Sequence, residues 1–267
     1  MLAWLFVKSL FYFALLNRFV MKRNFLILMI TGILAAACLP SFAQAPKKIP
    51  ADKQRALQWK PEKGQYYFSH SLVFDYQNKA DNTSGKLKIY LDPVSGAICF
   101  RKESSFGEHG KGFDFVIAFP DGKYIFCGAD DAGKKMRIVE MVKEVKPNAE
   151  TKAEQQENFT TYCIPTGNKR VDFGLESLEY DLTYATSDTK DKIWLTKTPF
   201  SSYTIYGIEF VESAVSLPVS FDYLHLLTSD LLVTEINSKD LILKLTSLEK
   251  DPFLANIKGY PEVKVAD

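Results

Sequence analysis

The chain has 267 residues, 46% of them apolar and 13% aromatic, with 33 basic and 32 acidic side chains and a formal net charge of +1. That apolar content belongs to a packed globular protein and excludes a disordered one. The near balance of charge argues against nucleic acid as a partner, which would want a basic face.

Residues 1–20 are apolar and aromatic, broken by Lys8 and Arg18. They read as a membrane segment or as an upstream start, because Met21 opens a complete secretion signal of its own. Lys22 and Arg23 form a positive n-region. Phe25 to Ala37 form an apolar h-region too short to span a bilayer comfortably, and Ser41-Phe-Ala43 offers small residues where a signal peptidase grips. The expected organisation is an upstream start over 1–20, a signal peptide over 21–43, a linker over 44–63, one domain over 64–261 and a tail over 262–267. The expected location is periplasmic or secreted. Leu34-Ala-Ala-Ala-Cys38 resembles the lipobox of bacterial lipoproteins, which implies a lipid anchor to the outer membrane through Cys38; cleavage after Ala43 would remove that cysteine. Loss of a leader with four basic and no acidic residues turns the net charge to about −3 and leaves Cys99, Cys127 and Cys163.

The linker is rich in Lys, Pro and Ala, with one or two helical turns predicted around Asp52–Trp59. Period two then takes over. Tyr66, Phe68, His70, Leu72, Phe74 and Tyr76 share one face of a predicted first strand. Leu87, Ile89 and Leu91 alternate with lysines in a second, which ends at Asp92-Pro-Val-Ser-Gly96, a turn signal. Strands follow over Ala97–Lys102, Phe113–Phe119, Lys123–Cys127 and Lys135–Val142, so the first six form an antiparallel meander. In a meander Cys99 and Cys127 lie two strands apart, nearly ~10 Å, too far for a disulfide.

Residues 143–158 are charged and predict a solvated loop or an exposed helical segment. Further strands are predicted over Leu175–Thr186, Asp191–Lys197 and Tyr203–Val211. A short amphipathic helix follows Pro218 within Ala214–Ser229. Leu231–Asn237 and Asp240–Leu248 make a last hairpin. The fold class is therefore mainly β: a large curved antiparallel sheet, a half-barrel of about 10–11 strands, with one or two short covering helices. No repeat of about 20–50 residues marks a propeller or solenoid.

Chemistry-bearing motifs are scarce. His70, His109 and His225 stand in no metal-ligand pattern. Gly107-Glu-His-Gly-Lys-Gly112 is glycine-rich but lacks the Lys-Ser/Thr ending and following helix of a phosphate loop, and reads as a hairpin loop. Asp130-Asp131 reads as turn chemistry. No catalytic, cofactor or metal site is expected, and the chain is taken as a non-enzyme. Phe68, Leu72, Phe74, Leu87, Ile89, Leu91, Phe113, Phe115 and Ile117 would project from one concave side if the registers agree. They would form either a core covered by Ala214–Ser229 or a groove for acyl chains.

With its signal, its long meander and the Trp-bearing Lys192-Ile-Trp-Leu-Thr-Lys197, the chain resembles the periplasmic lipoprotein carriers of the LolA type and their secreted bacterial relatives. Leu217-Pro218 and Val233-Thr-Glu-Ile-Asn237 add a similar late segment. The resemblance implies an open β half-barrel over a helical lid across residues 64–261, no catalysis, and an apolar ligand or an envelope partner. The expectations are a monomer that binds lipid or lipoprotein acyl chains in the concave face, or alternatively a structural or protein-interaction module of the outer envelope.

Overall fold

In the computed structural model residues 53–106, 112–143, 148–184, 187–210, 217–219 and 230–264 are described, and all lie within one unit, Phe42–Asp267. The signal, Cys38, His109, His225 and most of Ala214–Ser229 fall outside them. In chain order the elements are helix α1 (Lys53–Gln58), β1 (Gln65–Asn78), β2 (Thr83–Asp92), β3 (Ala97–Arg101), β4 (Phe113–Ala118), β5 (Lys123–Ala129) and β6 (Lys135–Met141). Helix α2 (Ala149–Tyr162), β7 (Cys163–Asp172), β8 (Leu175–Tyr184), β9 (Ser187–Lys197), β10 (Leu231–Asn237) and β11 (Leu241–Asn256) complete the fold.

The strands make one antiparallel sheet in the order β6-β5-β4-β3-β2-β1-β11-β10-β9-β8-β7, open at both ends rather than closed into a barrel. The first six strands are the predicted meander. The return from β7 to β11 runs inward, so the long β1 and β11 pair at the middle of the sheet. Cys99 and Cys127 are free thiols separated by β4.

The sheet bends. Between β9 and β10 the chain makes a helical turn, Tyr203–Tyr206, followed by a 3-10 turn, Gly207–Phe210. The Tyr124 hydroxyl on β5 donates to the Thr204 carbonyl (3.1 Å), and two residues on the Tyr206 hydroxyl bonds Leu231 O (3.2 Å) and Val233 N (3.0 Å) of β10. Six inter-strand steps separate β5 from β10, which would be ~29 Å in a flat sheet. One helical turn reaches both, so the sheet curls around it. The concave side is the larger core: Leu72, Ile89, Phe100, Val116 and Phe126 run across β1 to β5, and Tyr180, Ile193 and Val233 continue it across β8 to β10.

Two departures from the sequence reading have physical causes. The described part of the predicted strand, Tyr203–Phe210, is helical, because Thr204, Ile205, Tyr206 and Ile208 are buried within the concavity, where packing overrides the β preference of aromatic and branched residues. β7 escaped prediction because it is an edge strand, mostly exposed, with Pro165 and Gly167 breaking any alternation. Of the two readings of the charged stretch, the exposed helical segment is the one found: α2 starts after Asn148, whose side chain accepts the Thr151 N–H (2.9 Å).

Candidate functional site

The nine apolar residues expected on one concave face divide between two faces. Leu72, Phe74, Leu87, Ile89 and Leu91 belong to the concave core, and Phe113 packs against it. Phe68, Phe115 and Ile117 belong to a second cluster on the opposite face, with Tyr66, Tyr90, Cys99, Ile125 and Cys127. Ile98, Cys99 and Phe100 alternate between the clusters, as do Tyr124, Ile125, Phe126 and Cys127, so β3 to β5 are buried on both sides.

Strand irregularities move residues of equal parity to different faces. The β1–β11 register shifts between Phe68 and His70, opposite the stretch that carries Pro252. The β4–β5 register shifts between Phe113 and Phe115. There Gly128 is required, since a Cβ on it would stand 1.9 Å from the Gly112 carbonyl oxygen. Eight of the nine side chains are buried and Phe113 is half-buried. On the concave side Phe200, Ile205, Tyr206, Ile208, Leu217 and Val219 complete the core, with Phe159 of α2 packed edge-on to Tyr180. The concavity is filled by the chain's own side chains there.

Nucleophilic chemistry finds little footing. Burial pushes the Cys127 and Cys163 thiols up to about 12 and the Cys99 thiol well above its ordinary value, so all three stay protonated at neutral pH. His70 is buried, its Nδ1 2.8 Å from the Ser69 hydroxyl, itself buried. Asp130 serves a turn, accepting the Ala132 and Lys134 N–H groups. Among the described residues no group of three His, Cys, Asp or Glu could hold a metal ion.

On the convex side, the half of the sheet around β8 to β11 is polar. Glu235 stands opposite Lys244, Lys244 opposite Asp75, and Asp75 pairs with Lys86 at 2.6 Å. This is a ladder of alternating charge across four strands. Arg170 reaches Glu235 (2.8 Å) and lies over the Trp194 ring, 4.1 Å from its centroid.

Glu179 anchors the irregular stretch of β7, accepting from the Thr166 hydroxyl (2.8 Å) and the Asn168 amide (2.7 Å), with Lys192 at 3.5 Å. Burial works against its charge, but these three partners outweigh it and hold the carboxyl below its ordinary value. A depressed acid stabilises the fold above its unfolded pKa, about 4.3, and that stabilisation is lost as pH falls through the folded value. The melting temperature should therefore fall more steeply below about pH 4.3 in the wild type than in Glu179→Gln. Parallel pH profiles would mean that the carboxylate contributes nothing.

The two edges of the sheet differ. β6 is met by the C-terminal segment: Arg137 N–H donates to Pro261 O (2.8 Å) and Val263 N–H to Arg137 O (2.9 Å). The Arg137 guanidinium adds bonds to Tyr260 O and Glu262. Among the described residues no backbone hydrogen bond reaches β7 from its outer side. Ile164 is 46% exposed and Val171 73%. The turn into β8 is made by Phe173 and Gly174, both at positive φ (53° and 78°), and the Phe173 side chain is 43% exposed. A two-residue turn of this shape favours Asn or Gly first, and an aromatic there is a backbone outlier. The sequence held the signal in Asp172-Phe-Gly174, a glycine turn between Val171 and Leu175, but no apolar alternation flagged the strand before it.

No family model matches the chain, and no curated protein does. Among solved structures it is similar to the protein PNGF-II in its C2 and P21 crystal forms. Each match has 10% identity and a TM-score of 0.38, and covers 73% of this chain but 31% of PNGF-II. The chain thus spans about a third of the length of these neighbours.

Proposed function

We propose that this chain is an exported, non-enzymatic module of the bacterial envelope that holds a protein partner, an extended segment of which adds to β7 as a twelfth strand. The observation that carries this reading is Phe173. A bulky side chain is kept in the left-handed region at the tip of the turn, with 43% of its surface exposed. Strain of this kind persists where function retains it. Beside it runs the edge strand β7, whose outer side receives no backbone hydrogen bond among the described residues, with Val171 and Ile164 exposed, the features through which extended peptides dock on sheets. An acyl-chain carrier of the half-barrel kind is supported less, because the side chains that would line its hollow are packed against the chain itself.

The test is a pair of measurements on Phe173→Asn. Asparagine tolerates the left-handed conformation, so the variant should gain about 1 kcal/mol of stability. It should also lose the partner. A photo-crosslinking residue at Val171, in cells, should capture one stoichiometric protein, and the Phe173→Asn change should abolish that capture. A crosslinker at Val139 on β6 should capture none. Equal capture at Val139, or none at Val171, would refute the proposal.

A further inference from the structure

The turn Pro61–Gln65, the end of β11 with the residues after it, Asn256–Lys258, and Arg137 of β6 line an open pocket of about 600 Å³. That volume lies in the range of small-molecule sites. These three segments are remote in sequence, and each brings one cation: Lys63, Lys258 and Arg137. Glu62 is the one carboxylate in the lining.

The walls are fixed before any ligand arrives. Ile257 N–H donates to Gly64 O (2.9 Å) and Gly64 N–H to Pro61 O (2.9 Å). Gly64 sits at φ +69°, with Ile257 Cγ1 2.9 Å from where a Cβ would stand, so glycine is needed for this approach. Arg137 is held by Tyr260 O (2.6 Å) and Glu262 (3.0 Å). The Asn256 side-chain oxygen accepts the Lys258 N–H (2.9 Å), which leaves its amide N–H groups as donors. Among the described residues Lys63 and Lys258 have no carboxylate at ion-pair distance. A chain whose exported portion is net acidic by sequence thus gathers unpaired cations at one concave point.

We propose that this cavity binds the phosphoryl group of a small phosphorylated molecule or headgroup, with Lys63 and Lys258 closing on its oxygens and the Asn256 amide donating beside them. Charge-assisted hydrogen bonds from flexible ammonium groups and amides suit such an anion.

Two probes separate the sources of that chemistry. Sodium pyrophosphate is titrated calorimetrically into the full-length protein at low ionic strength. Vesicles of phosphatidylcholine, with and without phosphatidic acid, are sedimented with it. The expected result is binding of at least one probe that weakens about tenfold or more in Lys63→Gln/Lys258→Gln, two exposed positions whose loss leaves the melting temperature unchanged. The control pair Lys134→Gln/Lys152→Gln should bind as wild type. Lysine-dependent binding of pyrophosphate assigns a soluble ligand, and of phosphatidic acid vesicles alone a headgroup. No binding of either probe, or equal weakening in the control pair, overturns the site.

Discussion

Replacing Arg55 by alanine should destabilise the fold by about 3 kcal/mol, although Arg55 lies on a helix of only six residues. The reason is Asp92, whose side chain is fully buried at the end of β2. Arg55 Nε and Nη2 both donate to its carboxylate, the closest contacts being 2.8 Å. The Ser95 hydroxyl and N–H add bonds at 2.5 and 3.1 Å. Removing the guanidinium leaves a buried negative charge with no counter-charge, the costly way to break such a pair. It also removes the cation lying 4.7 Å above the Trp59 ring. Neutralising the survivor should relieve part of the loss: Asp92→Asn in the Arg55→Ala background should be more stable than Arg55→Ala alone. Urea unfolding of the four proteins in the cycle measures this. A single variant within 1 kcal/mol of wild type would show that α1 is an ornament on the domain rather than a clasp between its entry segment and the β2–β3 turn.

The second large effect concerns Ile89, which the alternation of β2 marked as a possible ligand contact. It is fully buried, opposite Leu72 and Phe100. Ile89→Ala should cost about 3 kcal/mol, the transfer of its lost carbons plus the cavity left in a closed core. A residue lining an open acyl groove would lose well under 1 kcal/mol on the same change, because solvent or ligand already touches it. The measurement therefore separates a core from a groove, and a small loss would reopen the lipid reading. The protein-partner proposal predicts the reverse pattern at Phe173, where truncation removes binding and improves the fold.

Alternation is a reliable witness to strands and a poor one to faces. Leu87, Ile89 and Leu91 announced β2, which begins a few residues earlier at Thr83, and Phe113, Phe115 and Ile117 announced β4 within a residue of its bounds. Yet in β4 Val116 and Ala118 are as buried as Ile117, and period two gives no sign of which set looks inward. Phe68 and Leu72 show the second difficulty. Four residues apart, they belong to one face by count and to two by structure, because the pairing with β11 slips between Phe68 and His70. A slip of this kind depends on a strand about 180 residues further along the chain, so no local pattern carries it. The edge strand β7 was hidden for a related reason. It is exposed, so the apolar signal that reveals buried strands was never there to read.

The order of residues by itself determined that this chain would be mainly β, that its first six strands would follow one another across the sheet, and that Cys99 and Cys127 would sit two strands apart, because each rests on short-range alternation and turn chemistry. Which face each aromatic occupies, what fills the bend, and which edge is left uncovered were decided only in three dimensions. Those outcomes depend on contacts between β1 and β11, between Tyr124 and Thr204, and between Arg137 and Pro261. They join positions far apart in the chain, and their energies exist only once the sheet has closed over them.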